Sequence, residues 1–326
     1  MKVLVTGAAG FIGGNLLSSL KSESIEAVGI DNFSTYYNVD MKRSHIGRLG
    51  LESEVIDMDV CDTRALHDLF KDFQPTHVIH LAAQGGVRAS KTDPIPYLLS
   101  NQTGFLNVLN TSENFGCTKL LYASSSSVYG DLSDAPFQEN QTLSAPKSLY
   151  ALSKLSNELI AKHLPPKDTE RIGFRFFTVY GPWGRPDMAV FRLLASSLLG
   201  EKFKLTANKD VMRDFTYVKD VSNVLMAALT SSSMDSQNSI LNISAGNPFT
   251  LNQLFEILEE LDIHIEIEES PADPLDVKMT HGSVAKLQAN ALPVPQTHLR
   301  DGITETWNWM NSIKNDQLRA WFEYSS

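Results

Sequence analysis

Residues 6–13 read Thr-Gly-Ala-Ala-Gly-Phe-Ile-Gly and lie between a short apolar run and a helical pattern. In this spacing Gly7 permits a tight turn, Gly10 lets backbone N–H groups approach a pyrophosphate at a helix N-terminus, and Gly13 lets helix and strand pack closely. A glycine-rich turn without a ligand is the alternative interpretation. Because the pattern follows the first strand and opens a helix, we favour a dinucleotide-binding loop.

Outward from this loop, strand and helix patterns alternate through the first half of the chain. Regular alternation implies right-handed crossovers and an α/β fold with a doubly wound, parallel Rossmann sheet. The expected strands are 3–6, 26–30, 53–58, 77–81, 119–123, 173–177, 213–218 and 240–244. The expected helices include 15–20, 63–70, 103–115, 150–163, 189–199, 251–261 and 300–312.

The regular alternation of strands and helices ends after the sixth strand, where prolines and glycines at 182–186 make an irregular link. We therefore expect a second, smaller lobe of mixed α/β structure that binds the substrate. The predicted dinucleotide-binding domain comprises residues 1–180 plus about 213–244. The predicted substrate lobe comprises 181–212 and 245–326, so the two are interleaved along the chain.

Composition excludes several classes of function. The chain has 326 residues, a formal net charge of −10 and 42% hydrophobic residues, which suits a globular core and offers no basic tract for nucleic acid. No apolar stretch approaches the roughly 18 to 20 residues of a membrane span. The opening strand does not resemble a signal peptide, and no Cys/His spacing indicates a metal. We expect a cytoplasmic protein without metal, membrane or nucleic-acid partners.

An acidic residue ends the second strand. Asp31 follows Gly13 by 18 residues, where a carboxylate accepts hydrogen bonds from ribose hydroxyls and repels a 2′-phosphate, so NAD is favoured over NADP. Asp59 either contacts adenine or caps the next helix. The expected cofactor contacts are Gly7, Gly10, Phe11, Ile12, Gly13, Asp31, Asn32, Asp59, Val60, Leu81, Ala82, Ala83, Tyr150 and Lys154.

Tyr150 and Lys154 form the only Tyr-x-x-x-Lys in the chain and share one helix face. The Lys154 ammonium is expected to lower the pKa of the Tyr150 phenol and to bind the nicotinamide ribose. Tyr150 then takes a proton from a substrate alcohol as hydride leaves for NAD. Ser125, in the serine run 124–127, is expected to hydrogen-bond the reacting oxygen. A surface tyrosine beside a solvated lysine is the alternative.

With these motifs the chain resembles the extended short-chain dehydrogenase/reductases, and among them the UDP-glucuronate 4-epimerases. The resemblance covers essentially the whole length, and residues 175–189, RFFTVYGPWGRPDMA, carry its most specific part. The other matching segments are Asp31 to Phe33 with Tyr36 and Tyr37, 84–88 (QGGVR), 124–130 and 213–221 (RDFTYVKDV).

The resemblance implies that NAD stays bound while hydride leaves C4 of the sugar, the 4-keto intermediate turns over, and hydride returns to the other face. It also implies roles for Tyr150 as base, Lys154 as its electrostatic partner and Arg213 at the UDP diphosphate. Asn101 is expected to have a structural or cofactor-side role. The implied substrate contacts are Arg88, Ser125, Ser126, Ser127, Tyr150, Thr178, Arg185 and Arg213.

A 4-keto uronate is a β-keto acid and loses CO2 when its carboxylate bond aligns with the carbonyl. By resemblance, Arg185 pins that carboxylate, assisted by Thr178 and Ser127. Related decarboxylases and dehydratases carry an acidic residue where this chain has Ser126 and Ser127, which favours epimerisation of UDP-glucuronate to UDP-galacturonate. A neutral UDP-hexose 4-epimerase, a UDP-glucuronate decarboxylase and a non-catalytic NAD-binding regulator remain alternatives.

The resemblance also bears on the oligomeric state and shows where the chain departs from the family pattern. Apolar faces on the helices 103–115 and 150–163 predict a homodimer, although burial within the monomer explains them as readily. Residues 275–282 depart from the family pattern on the expected uridine side of the substrate lobe. Gly85-Gly86 stands where Ala-Gly is expected.

Overall fold

The computed structural model describes residues 1–143, 145–165, 167–206, 208–231, 238–271 and 277–324. The fold is α/β, as predicted, with strands distributed over one large and several small sheets. The strands are β1 Lys2–Thr6, β2 Glu26–Asp31, β3 Val55–Asp57, β4 His77–His80, β5 Lys119–Ser125, β6 Glu170–Phe176, β7 Thr178–Tyr180, β8 Phe203–Leu205, β9 Met212–Arg213, β10 Phe215–Tyr217, β11 Asn238–Ile243, β12 Phe249–Thr250 and β13 Ile267–Glu269.

Helices alternate with these strands and begin at residues that suit helix starts. Asp62 and Ser148, for example, cap two helices by accepting hydrogen bonds from backbone N–H groups of the first turn. The helices are α1 Phe11–Ser22, α2 Val39–Arg48, α3 Thr63–Phe73, α4 Phe105–Asn114, α5 Leu149–His163, α6 Ala189–Leu199, α7 Val218–Thr230, α8 Leu251–Glu260, α9 Ala285–Ala289, α10 Leu299–Asn311 and α11 Asn315–Tyr324. No helix in the described part of the chain is both long and apolar enough to span a bilayer.

The main sheet has, among the described residues, seven parallel strands in the order β11-β6-β5-β4-β1-β2-β3. Strands β5 and β6 are buried along their whole length, as expected for a parallel sheet covered by helices on both faces. Strand order reverses between β1 and β4, and in open α/β sheets ligands bind at the carboxyl ends of the strands at such a point. The glycine loop follows β1 at that point.

The remaining short strands pair as β7 with β10, β9 with β12 and β8 with β13. Their apolar side chains belong to the same hydrophobic cluster as the helices and strands beside the glycine loop. Strand β11 joins the edge of the main sheet next to β6, so a segment late in the chain completes the Rossmann part. The interleaved domain limits stay a prediction.

Two predicted elements were wrong in detail. The expected helix 103–115 begins earlier, because a π-helix at Tyr97–Gly104 precedes α4. The expected strand 213–218 is two short strands in different sheets, separated by Asp214. The Asp214 carboxylate accepts hydrogen bonds from the backbone N–H groups of Ala245, Gly246 and Gly282, which ties this break to two neighbouring loops.

Candidate active site

A cavity of about 360 Å³ opens at the carboxyl ends of the central strands. Most of the expected cofactor residues line it, and Asp59 does not. The lining includes Gly7, Gly10, Phe11, Ile12, Gly13, Asp31, Asn32, Val60, Leu81, Ala82, Ala83, Tyr150 and Lys154. Of the expected substrate contacts, Ser125, Tyr150, Thr178 and Arg185 also line it, whereas Arg88, Ser126, Ser127 and Arg213 do not.

The glycine loop has the close backbone contacts that a cofactor cradle requires. Gly7 has φ +71°, and a Cβ atom there would lie 2.7 Å from the backbone nitrogen of Ala82. A Cβ atom at Gly13 would lie 2.1 Å from the Gly7 carbonyl oxygen. Helix α1 starts immediately after Gly10, so its first N–H groups border the cavity and favour an anionic group such as a pyrophosphate.

Asp31 is held as an oriented carboxylate at the end of β2. Its two oxygens accept hydrogen bonds from the backbone N–H groups of Ala9 (3.0 Å) and Phe33 (2.8 Å). The Lys42 ammonium lies 3.8 Å away, and burial lowers the pKa of that lysine. Sequence reasoning missed Lys42, whose signal was only its position in the polar segment after β2. The buried carboxylate fits the ribose hydroxyls of NAD.

Asp59 lies outside the cavity lining and holds two neighbouring residues. Its carboxylate accepts hydrogen bonds from the Cys61 N–H (2.8 Å) and the Asn32 side-chain amide (2.9 Å). The cap of α3 is Asp62 instead, so the helix-cap alternative was wrong. Asp59 therefore supports Asn32, a cavity residue, from outside the cavity, and direct contact with adenine stays a prediction.

The Tyr150 phenol lies in the cavity beside Ser125, at the start of α5. Burial raises the pKa of Tyr150, and this increase is partly offset first by the Arg185 guanidinium and then by a hydrogen bond with Ser125. The Lys154 ammonium donates to the Ala123 carbonyl oxygen (2.9 Å), and burial lowers its own pKa to about 8. The Arg185 guanidinium thus lowers the pKa of the phenol in this structure, while the expected effect of Lys154 on that pKa stays a prediction.

The serine run 124–127 belongs only in part to the cavity lining. Ser125 lines the cavity, whereas the following residues Ser126–Tyr129 form a 3₁₀ helix that is not part of the lining. The Ser127 hydroxyl donates to Ser125 Oγ (2.9 Å), and the Ser127 N–H contacts the same atom at 3.2 Å. Ser127 therefore supports Ser125 and is not among the residues that line the cavity, and its direct contact with a carboxylate stays a prediction.

Behind the run lies a buried ion pair. Arg175 donates from Nε and Nη2 to the two carboxylate oxygens of Glu158, at 2.9 and 2.8 Å. The Ser124 hydroxyl donates to the same carboxylate, and the Arg175 guanidinium lies over the Tyr129 ring. A carboxylate with three charge-assisted or polar partners fixes the end of β5 and, with it, Ser125.

Arg185 and Thr178 reach the cavity from the segment after β6. The Arg185 guanidinium is bound by the Asp187 carboxylate through two hydrogen bonds of 2.9 Å. The Tyr36 hydroxyl donates to the same carboxylate at 3.0 Å. Sequence reasoning missed Asp187, although it stands inside the quoted motif two residues after Arg185.

Three further predicted residues, Arg88, Arg213 and Asn101, form hydrogen bonds within the protein. Arg88 is exposed and donates to the Thr206 hydroxyl at 3.0 Å, and Arg213 donates to the Met212 carbonyl oxygen at 2.9 Å. The buried Asn101 amide bridges the Gln84 backbone and the Ser153 hydroxyl. Asn101 thus connects the π-helix to the cavity loop and to α5, which agrees with a structural role.

A Rossmann sheet, a glycine cradle, an oriented carboxylate after β2 and a Ser-Tyr-Lys group in one cavity define an NAD-dependent enzyme of the extended short-chain dehydrogenase/reductase class. Comparison with known families agrees. The NAD dependent epimerase/dehydratase family model matches residues 3–244, and the chain belongs to this family.

Individual relatives match over nearly the whole chain. A UDP-glucuronate 4-epimerase of Thermodesulfobacterium geofontis is 36% identical over 94% of this chain and 95% of its own length. The crystal structure of UDP-glucuronic acid 4-epimerase from Bacillus cereus, with UDP-glucuronic acid and NAD, has a TM-score of 0.86 and 30% identity, covering 96% and 100% of the two chains. A UDP-glucose 4-epimerase of Thermus thermophilus, in complex with NAD, has a TM-score of 0.83 and 28% identity, covering 96% and 100%.

These comparisons confirm four predictions: the Rossmann fold, the epimerase family, the isomerase class of enzyme and NAD as the cofactor. The matches include enzymes of uronate and of neutral sugars, so the comparisons leave the particular substrate open. Leu275 and Asp276, which the sequence associates with uridine contacts, lie outside the described residues.

Proposed function

We propose that this enzyme interconverts UDP-glucuronate and UDP-galacturonate by epimerisation at C4 of the sugar, with NAD retained. The observation that carries the proposal is Arg185, a cation in the same cavity as Tyr150 and Ser125. A neutral hydroxymethyl group at C5 has no use for a guanidinium, whereas a C5 carboxylate binds one bidentately. The UDP-glucuronate 4-epimerase relatives support the same substrate.

The protein residues supply binding and proton chemistry. The glycine cradle and Asp31 would hold NAD, which when bound supplies reversible hydride acceptance at C4. Tyr150, as phenolate, takes the proton of the C4 hydroxyl and returns it when the sugar has turned over. Ser125, fixed by Ser127 and the end of β5, orients the reacting oxygen. Lys154, buried and anchored on Ala123, faces the expected position of the nicotinamide ribose.

Arg185 also protects the product. In a 4-keto uronate, the C5–C6 bond breaks when it aligns with the carbonyl π system. A guanidinium that binds both carboxylate oxygens restrains the position of C6 relative to the sugar ring, and so holds the C5–C6 bond out of alignment with the carbonyl π system. Thr178 lines the cavity near this group and is its proposed hydroxyl partner.

Contacts with the UDP part are proposed from resemblance alone. Arg213 and Arg88 lie outside the cavity lining in this structure and would need a change of side-chain orientation to meet a diphosphate. Arginine suits that role because its planar fork binds two phosphate oxygens at once.

Proton NMR of the purified protein with UDP-glucuronate, without added NAD, tests the proposal. We expect a growing anomeric signal of UDP-galacturonate. Formation of UDP-pentose and CO2 would identify a decarboxylase. Conversion of UDP-glucose, with UDP-glucuronate unchanged, would identify a neutral hexose epimerase. A UDP-glucose 4-epimerase is among the structural relatives. No conversion of either sugar, even with added NAD, would favour a non-catalytic NAD-binding protein.

We also propose a homodimer, with a cytoplasmic location kept as a prediction. The π-helix and α5 expose Leu98, Leu99, Leu152 and Leu159, which are 42 to 52% accessible. Leucines exposed on adjacent helices form the kind of apolar patch that pairs with a second copy by two-fold symmetry.

Size-exclusion chromatography with light scattering is expected to give twice the chain mass at micromolar concentration. The double variant Leu152→Asp/Leu159→Asp should give a folded monomer, while Ile56→Asp, at an exposed isoleucine of β3, should leave the mass unchanged. A wild-type monomer at these concentrations would contradict the proposed dimer.

A further inference from the structure

The Arg185 guanidinium is held from one side by a carboxylate of its own segment. Asp187 accepts from Nε and Nη2, both at 2.9 Å, which is the planar two-bond pairing of arginine with a carboxylate. Tyr36, from the segment after β2, donates its hydroxyl to Asp187 Oδ2 at 3.0 Å, and its ring lies under the guanidinium at 5.7 Å. The orientation of Asp187 is therefore set by Arg185, two residues earlier, and by Tyr36, which is distant in sequence.

From the other side, the space for the guanidinium depends on a missing side chain. A Cβ atom at Gly85 would lie 2.6 Å from Arg185 Nη1 and 3.1 Å from Arg185 Cζ. The backbone here is itself fixed, because the Tyr97 hydroxyl lies 2.6 Å from the carbonyl oxygens of both Gly85 and Gly86. Arg185 thus packs directly against a restrained stretch of main chain.

These contacts determine which edge of the guanidinium faces a ligand. Asp187 uses the Nε–Nη2 edge, and a guanidinium has a second edge with two parallel donors, Nη1 and Nη2. A substrate carboxylate that binds Arg185 would use the remaining N–H groups of Nη1 and Nη2, and the position of Nη1 depends on the space left at Gly85. The Asp187 charge at the same time weakens the attraction between Arg185 and a second carboxylate, so the arrangement favours orientation over affinity.

We propose that Gly85, Asp187 and Tyr36, hereafter the arginine cradle, are positioning residues that decide whether a bound uronate is epimerised or loses CO2. The inference rests on the proposed function. In the side reaction the C5–C6 bond of the 4-keto uronate breaks, its electron pair forms an enolate with the C4 carbonyl, CO2 leaves, and C5 takes a proton. The cradle suppresses this reaction by holding Arg185, and through it the carboxylate, out of alignment with the carbonyl.

The test compares the partition of turnovers between UDP-galacturonate and CO2 plus UDP-linked pentose products. The full-length variants Gly85→Ala, Asp187→Asn and Tyr36→Phe are assayed with UDP-glucuronate labelled at the carboxyl carbon. Each has a matched control away from the cavity: Gly47→Ala on the exposed face of α2, Glu260→Gln in the surface pair with Arg300, and Tyr122→Phe in the core, where the hydroxyl has no hydrogen-bond partner among the described residues.

We expect the share of CO2 to rise roughly tenfold or more in Gly85→Ala and Asp187→Asn, and less in Tyr36→Phe, because displacement by about 1 Å is enough to alter reaction geometry strongly. Asp187→Asn should also lower the KM for UDP-glucuronate, since it removes a competing negative charge. General damage to the fold would instead raise KM and lower kcat without changing the partition. Alanine at Gly85 meets the tip of a side chain, so we expect this variant to fold.

The possible failures are distinguishable. If the wild-type protein does not convert UDP-glucuronate, the proposed function fails and the cradle hypothesis fails with it. If the wild type epimerises UDP-glucuronate and the folded cradle variants keep its partition, only the cradle hypothesis is overturned. Should Gly85→Ala lose its fold by circular dichroism, Asp187→Asn decides through its partition and KM.

Discussion

On the cofactor side of the cavity the close contacts are made by backbone atoms, whereas on the side of Arg185 they are made by side chains. A Cβ atom added at Gly13 would overlap the main chain of Gly7, and Asp31 is oriented by two backbone N–H groups. Arg185, in contrast, is oriented by Asp187 and by the space left at one glycine. The shape of the cofactor side is therefore fixed by the main chain, whereas the geometry of the substrate side can be changed by single side-chain substitutions.

This difference suggests how one fold serves several sugars. Backbone geometry around a shared cofactor changes only when the strand–loop–helix unit changes. A side-chain network such as that of Arg185 can be altered at one position without disturbing NAD. The structural relatives include a uronate enzyme and a neutral-sugar enzyme, both in complex with NAD.

Removal of the base should have the largest effect. Tyr150→Phe is expected to lower kcat by roughly 10² to 10⁴-fold, the usual contribution of general acid–base catalysis, with NAD content and melting temperature unchanged. The measurement is initial rate by NMR, with bound NAD determined after denaturation. Near-normal turnover in the variant would remove Tyr150 from the mechanism.

The second-largest effect is expected from a methyl group added on the cofactor side of the cavity. Gly13→Ala should strip NAD from the purified protein and lower its melting temperature, because the new Cβ meets the backbone oxygen of Gly7 at 2.1 Å and neither side can yield cheaply. Gly47→Ala, on the exposed face of α2, is the matched control and should bind NAD normally. Full NAD content in Gly13→Ala would show that the glycine loop can shift to accept a Cβ atom at this position.

On the substrate side, Arg185→Ala should leave NAD bound and shift products toward CO2 and UDP-pentose. It should also move the acidic limb of the rate profile to higher pH. Arg185 lowers the pKa of Tyr150, so without the guanidinium that pKa rises and a higher pH is needed to form the phenolate. Arg319→Ala, in a surface ion pair, is the control. Clean epimerisation with an unshifted profile would contradict both roles of Arg185.

The smallest effect is expected at Ser127. Its hydroxyl supports Ser125 at 2.9 Å and does not line the cavity, so Ser127→Ala should change kcat only a few-fold, about the loss of one neutral hydrogen bond. The CO2 share should stay at the wild-type level. A large rise in CO2 would instead restore the direct carboxylate contact that the sequence predicts.

Much of the cofactor side was predictable because its signals are local. The turn at Gly7, the helix that starts at Phe11 and the carboxylate at the end of β2 each follow from a motif at the end of one strand. Tyr150 and Ser125 were predictable for the same reason: a four-residue spacing and a polar run at a strand end. Parallel strands bring their carboxyl ends to one edge, so local motifs converge there.

What the sequence did not reveal depends on contacts distant in sequence or on unusual helices. Helix α2, Val39–Arg48, has little apolar periodicity, and its start signals are the Asn38 cap and the acidic Asp40 in the first turn. The π-helix has no recognisable repeat of its own. That Lys42 lies beside Asp31, and that the Arg185 guanidinium lowers the pKa of Tyr150, becomes visible only in the folded chain.

The π-helix has a consequence for interpreting mutations on the protein surface. Within one turn, Tyr97 points inward to the carbonyl oxygens of the Gly85–Gly86 loop, and Leu98 and Leu99 point outward to solvent. Any partner that presses on those leucines also acts on the loop against which Arg185 rests. A kinetic change caused by a substitution at the outer face can therefore reach the loop through Tyr97, and does not by itself identify a residue that touches the sugar.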